Sequence, residues 1–231
     1  MPKKTFAIPK LGEVNFYKYK SAKNIKIRIS GSNIKVSLPN WVPFKVAYDY
    51  TVNKTDWILS NLKPQGIIKN GQKIGKNYTL HLITSNNNRL SSSVRQNMLL
   101  IKVPANQNVT DPDIQNKISN LIKKTLQIES EELLIPLLRK KAQNHNLTVN
   151  KIEIKDLKSR WGSCSSEKNI TLSLYLIQLP WRCINYVMYH ELAHTIHHNH
   201  GPDFWRLVES WEPNCRNLKS EMKQHTPQIL Y

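Results

Sequence analysis

The sequence is short of cysteine, glycine and acid, and it has no long apolar run. Its 231 residues contain three cysteines, Cys164, Cys183 and Cys215, with no Cys-x-x-Cys pair among them. Such a set excludes a disulfide framework and a four-cysteine zinc site, and leaves buried, reduced thiols as the expectation. Seven glycines and twelve prolines exclude collagen-like and linker-like sequence. No stretch approaches the roughly 18 apolar residues of a membrane span. The opening segment, Met1 to Lys10, lacks the apolar core of a signal peptide, so a cytoplasmic protein without membrane contact is expected. Acid is the scarcest charge: 16 Asp and Glu stand against 34 Lys and Arg, a net of +18.

The basic excess is uneven. Residues 1–110 carry 18 basic and 3 acidic groups, whereas residues 111–231 carry 16 and 13. This asymmetry predicts two units with different tasks: a small basic, β-rich unit over 1–110 and a second domain over 111–231. The basic half suits a polyanion, because neutralising phosphates releases counterions. With 39% hydrophobic residues, the chain has ample material for a core.

Periodicity fills in the elements and gives an α+β fold class. Asn24–Ile29 and Ile34–Leu38 alternate strictly around Ser30-Gly31-Ser32-Asn33. They predict a hairpin with Lys26, Arg28 and Lys35 outside. Pro43 opens a helix whose expected apolar positions include Val46, Tyr50, Trp57, Ile58 and Leu62. Gly71 to Val103 reads as two or three strands. Asp111-Pro112 starts a long helix that Pro136 is expected to kink or interrupt. Lys151–Ile154 and Ile170–Leu174 read as strands of a small sheet. A helix over about Trp181–His197 follows Pro180, and a shorter one starts at Pro202. No internal repeat is visible.

The chemistry is carried by His190-Glu191-Leu192-Ala193-His194. Helical positions four apart share a face, so two imidazoles reach one metal ion, while the offset glutamate reaches the water that the metal activates. With 8 His and 10 Glu in the chain, chance gives about 0.01 occurrences of this pattern. The stripe Ile184, Val187, Met188 and Leu192 predicts a buried helix, where unpaired imidazoles are costly. A catalytic zinc needs a third ligand. On a straight helix His197 and His198 lie too far along the axis from His190. A turn at Asn199-His200-Gly201-Pro202, with a permissive glycine before a proline, makes His200 the choice. His197 and His198 are left to line the cleft. Arg160 is a candidate for oxyanion or substrate binding, and Trp161 for substrate contact or core packing.

Three segments together resemble a known family: Ser159-Arg160-Trp161-Gly162-Ser163-Cys164, then Tyr186-Val187-Met188-Tyr189 before the His-Glu pair, then Asn199-His200-Gly201-Pro202-Asp203-Phe204-Trp205. They look like the YgjP-like metallopeptidases, with Gly201 where Ser is usual. That family is in turn similar to the SprT-like proteases that act on DNA–protein crosslinks. The resemblance implies a zincin-like domain with a long helix, a small sheet and an active-site helix. It also implies Zn2+ held by His190, His194 and His200, and Glu191 as general base. The expected activity is that of a zinc metallopeptidase-type hydrolase on a peptide or protein, acting near nucleic acid held by the basic half. The rival readings are a nucleoside triphosphate pyrophosphohydrolase using the same site, although no P-loop is present, and a nucleic-acid-binding module with a structural zinc.

Overall fold

Alternation along the first strands sets the architecture of the N-terminal region. A computed structural model describes residues 2–30, 33–61 and 66–229. Strands β1 (Lys3–Ile8), β2 (Gly12–Tyr19), β3 (Lys26–Ser30) and β4 (Asn33–Pro39) form one sheet in the order β1-β2-β4-β3. The outer pairs are antiparallel and the central pair is parallel. One face buries Ile8, Val14, Phe16, Ile34, Val36 and Leu38 against helices α1 (Phe44–Asn53) and α2 (Thr55–Asn61). The expected β3–β4 hairpin forms, with Lys26, Arg28 and Lys35 exposed; residues 31 and 32 of its turn, and Leu62, lie outside the described residues. The first two strands carry no strict alternation of apolar and polar residues and went unread.

The helix after Pro43 differs from expectation. It is two helices, and the side chains that face the core are Ala47, Thr51 and Ile58. Val46 and Trp57 are each 50% exposed, and Tyr50 is exposed too. The small residues Ala47 and Thr51 let the helix lie close to the sheet. Large apolar residues therefore do not mark its inner face.

A second sheet joins β5 (Lys73–Ile74), β6 (Tyr78–Ser85), β7 (Ser91–Arg95) and β8 (Met98–Pro104) in the order β5-β6-β8-β7. It repeats the first topology, again with antiparallel outer pairs and a parallel centre. Helix α3 (Pro112–Asn144) follows and runs unbroken for 33 residues, through Pro136. Asp111 caps it by accepting the Asp113 N–H at 2.8 Å. The third sheet is β10-β11-β9, from β9 (Lys151–Lys155), β10 (Gly162–Cys164) and β11 (Asn169–Ser173). A 3-10 turn (Leu174–Gln178) leads into α4 (Trp181–Ala193), α5 (Pro202–Trp211) and α6 (Cys215–Met222). The mixed α+β class expected from the sequence holds. Among the described residues no helix is long and apolar enough to cross a membrane.

The chain divides into two units, Met1–Gly66 and Ile67–Tyr231, rather than at 110/111. The reason is burial. Ile74, Leu80, Leu99, Ile101 and Val103 of the second sheet share one core with Ile114, Ile118 and Ile122 of α3 and with α4. Charge asymmetry reports the surface: Lys73, Arg95 and Lys102 sit on strands of the second sheet, and Lys69, Lys76 and Arg89 on the segments that flank them.

Glu129 of α3 pins the β5–β6 turn. It is fully buried; its Oε1 accepts the N–H groups of Lys76 at 3.0 Å and Asn77 at 2.6 Å. Gly75, at φ +62°, packs so closely that a Cβ there would stand 1.6 Å from Glu129 Oε2. Gly75→Ala is expected to cost about 1–3 kcal/mol. Gly71→Ala, at φ +80° with nothing near its Cβ, is expected to cost less. Urea unfolding of both variants gives the difference.

Burial pushes the Glu129 carboxyl above its ordinary range, while the two N–H groups and Lys76 pull against the shift. A raised carboxyl favours the protonated folded chain. Its share of stability is therefore present at acid pH and is lost as pH rises from the ordinary carboxylate value through the raised one. Glu129→Gln is expected to flatten that descent in urea midpoints taken between about pH 4 and 8.

Candidate metal centre and cleft

Helix α4 starts after Pro180 and buries Cys183, Ile184, Val187, Met188 and Leu192, the stripe the sequence predicts. On the same helix Glu191 faces Gly162 of β10 and His190 faces Phe204 of α5. The helix ends at Ala193, short of the expected His197. His194 caps it in a helical conformation, and the N–H groups of Thr195, Ile196 and His197 close the last turn. The chain then reverses and enters α5 at Pro202. Gly201 makes this entry in extended backbone, at φ −72° and ψ −178°. The reversal therefore uses the proline's restriction of the residue before it, and no glycine-only conformation. A Cβ at Gly201 would meet nothing within 4 Å.

The reversal brings His200 back onto the helix. Nε2 of His200 and Nε2 of His190 lie 3.1 Å apart. One ligand-capable atom from each of His190, His194 and His200 falls within 4.8 Å of the others. Nitrogens sharing a tetrahedral zinc are separated by about 3.3 Å, so the three rings fit one ion with little movement. The His194 Nδ1 lies 3.0 Å from the His197 carbonyl oxygen. With its proton there, the ring donates to the carbonyl and turns a bare Nε2 toward the cluster. Among the described residues, His190 Nδ1 and Glu191 Oε2 are buried without a hydrogen-bond partner. Such atoms are costly unless a cation or water completes them.

The electrostatics agree with a metal-ready triad. Burial lowers His190 to about 3, helped by the neighbouring His194 and His200. Burial also lowers His194, against the pull of the His197 carbonyl. Both rings are thus neutral, as a metal ligand must be. Phe204, fully buried, is the floor under all three: its ring centroid is 5.0 Å from His190, 4.6 Å from His194 and 4.7 Å from His200. In the sequence Phe204 appears only as part of the family-like segment that ends in Trp205.

Glu191 is buried, and that burial lifts its carboxyl to about 8 while Arg160 pulls it down. A cavity of about 270 Å³ opens beside it, lined by Arg160, Trp161, Gly162, Tyr186, His190 and Glu191 among others. Arg160 and Trp161 thus fall where the sequence reading expects substrate. His197 and His198 do not line this cavity; His197 acts through its carbonyl. Tyr186, one helical turn before His190, was missed as a cavity residue because its place in the apolar period looks structural. Burial raises its phenol to about 12, so it stays a hydrogen-bond donor at neutral pH. The Cys164 thiol is pushed up to about 11 by burial and by Glu191, which favours the thiol over the thiolate.

Comparison with known proteins adds the family. A family model described as YgjP-like, metallopeptidase domain, matches residues 23–225.

The chain belongs to the YgjP-like metallopeptidase family.

As a YgjP-like protein it is a metallopeptidase-type hydrolase, a class that works with a divalent metal, and three histidines are placed to hold one. None of the curated proteins matches it. Among solved structures, the crystal structure of the metallopeptidase zymogen of Pyrococcus abyssi abylysin is similar at 25% identity. It covers 40% of this chain and 94% of its own, with a TM-score of 0.36.

Gly162 is the tightest point of the YgjP-like cleft. A Cβ there would stand 2.7 Å from both Cγ and Oε1 of Glu191. Gly162→Ala is expected to displace the Glu191 carboxylate and cut turnover at least about tenfold. Metal content, read by elemental analysis, should stay at the wild-type level.

Proposed function

We propose that this chain is a zinc-dependent peptidase in which His190, His194 and His200 hold the ion and Glu191 carries the proton. The observation that carries the reading is the convergence of three ring nitrogens beside a buried, unpartnered carboxylate oxygen. Three imidazoles favour zinc among divalent ions. Among the described residues the cluster has three members, whereas a structural zinc is normally closed by four. This counts against the reading as a binding module with a structural ion.

Zinc held by these rings supplies Lewis acidity that makes a water nucleophilic near neutral pH. Beside a divalent ion, Glu191 would favour its ionised form over the proton that burial alone retains; it would then take a proton from the attacking water and return it to the leaving amine nitrogen. Arg160 offers a guanidinium, and Tyr186 a phenol O–H, to the oxyanion that develops on the carbonyl. The substrate class follows from strand β10. Among the described residues it pairs with β11 on one side only, and its Gly162 packs on Glu191. An extended peptide adding to the open edge would run past the carboxylate. A nucleotide has no use for a strand edge.

Glu191→Gln is expected to keep one equivalent of zinc and to lose about 10²–10⁴ in kcat on peptides. His200→Ala is expected to lose the zinc. The check is metal analysis together with mass-spectrometric screening of a peptide library and of nucleoside triphosphates. Zinc-dependent pyrophosphate release, with peptides untouched, would replace the peptidase reading by the nucleotide one. Full activity in Glu191→Gln would remove the mechanism.

A further inference from the structure

The first sheet has one face in the core and one outside, and the strand register orders the outer face into two rows. Lys3 lies opposite Tyr17, Tyr17 opposite Ser37, and Ser37 opposite Lys26. Thr5 lies opposite Asn15, Asn15 opposite Lys35, and Lys35 opposite Arg28. The two rows hold four basic residues and no carboxylate. Glu13, the one acid on this face, stands opposite Ala7, beyond the second row. Tyr19 follows Tyr17 on the same strand and the same face.

Two features of this face are unfavourable for folding alone. Lys35 and Arg28 are direct cross-strand neighbours, and like charges so placed destabilise a sheet. Tyr17 and Tyr19 are half-buried rings outside the core. Their surroundings are ammonium groups. Lys35 Nζ lies 4.4 Å from the Tyr17 ring centroid and 5.7 Å from that of Tyr19, and Lys3 Nζ lies 5.7 Å from Tyr17 on its other neighbour strand. A pocket of about 450 Å³ adjoins the rows, lined by Tyr19, Lys23, Lys26, Arg28, Lys35 and Ser37 among others. This is within the size range of small-ligand sites. Its charged lining residues are all basic.

From this juxtaposition we infer that the outer face of the first sheet is a binding site for single-stranded nucleic acid. Phosphates neutralise Lys26, Arg28 and Lys35 and relieve their mutual repulsion, and bases stack on Tyr17 and Tyr19. A duplex keeps its bases stacked on one another and offers nothing to the rings. The inference rests on the first unit alone and is independent of the peptidase reading.

The test uses the full chain, zinc-loaded, and fluorescence anisotropy with labelled oligothymidylate and oligouridylate of about 20 nucleotides at about 50 mM salt. Binding is expected to weaken steeply as salt rises. Arg28→Ala with Lys35→Ala should weaken it at least about tenfold and reduce the slope of log K against log salt, by about 0.7 per lost phosphate contact. Tyr17→Leu with Tyr19→Leu should weaken it at least about fivefold and leave the slope unchanged. Lys45→Ala with Lys54→Ala, on the helical side, should leave binding unchanged. Circular dichroism confirms that each variant is folded. Glu191→Gln should bind as wild type, which separates this site from the catalytic one. No binding at low salt, preference for a duplex of the same length, or tyrosine variants that bind like wild type would each overturn the inference. The last result would reduce the face to a general polyanion surface. A preference between the two oligonucleotides would identify DNA or RNA as the ligand.

Discussion

The metal centre depends on one reversal of the chain. A backbone leaving His190 on a helix must be back beside it at His200, without stranding buried polar groups on the way. The pin is the contact between the His194 ring and the His197 carbonyl. It helps close the last turn of the helix, satisfies a carbonyl that the helix no longer uses, and sets the tautomer of His194. Pro202 then starts α5 in the direction that brings Phe204 under all three rings. Without the pin, His190 and His194 would be two imidazoles on a helix, with the third elsewhere.

Much of this was legible in the residues. The His-Glu-x-x-His spacing has one geometric meaning on a helix, and the apolar stripe showed that the helix is buried. The choice of His200 over His197 and His198 followed from rise per residue. The role of Gly162 was not legible, because it depends on a strand approaching Glu191 from a distant part of the fold. Tyr186 and Phe204 have apolar periodicity, and a sequence does not say which side of a core ends in a cavity. The end of α4 at Ala193 was missed for a related reason. His194 to His198 contains no proline or glycine, and the last turn is closed by short backbone bonds together with the His194 and Thr195 side chains.

The N-terminal errors share another cause. Large apolar residues were taken to mark the inner face of α1 and α2, yet Ala47 and Thr51 face the sheet and Trp57 faces out. Close packing of helix on sheet can require small residues at the contact. The unit boundary moved for a comparable reason. The basic residues of 67–110 lie on and around a sheet whose interior is continuous with α3, and charge counts do not see interiors.

The two four-stranded sheets follow one plan. The matching strands β2 and β6 have 8 residues each, β3 and β7 have 5, and β4 and β8 have 7. Their sequences show no repeat, and their interiors share no residue. A chain that carries one scaffold twice has a spare. The second copy is committed: its inner face supports the long helix on which the catalytic domain is assembled. The first copy closes its core on its own two helices, so residues of its outer face can change without entering the core beneath the histidine cluster.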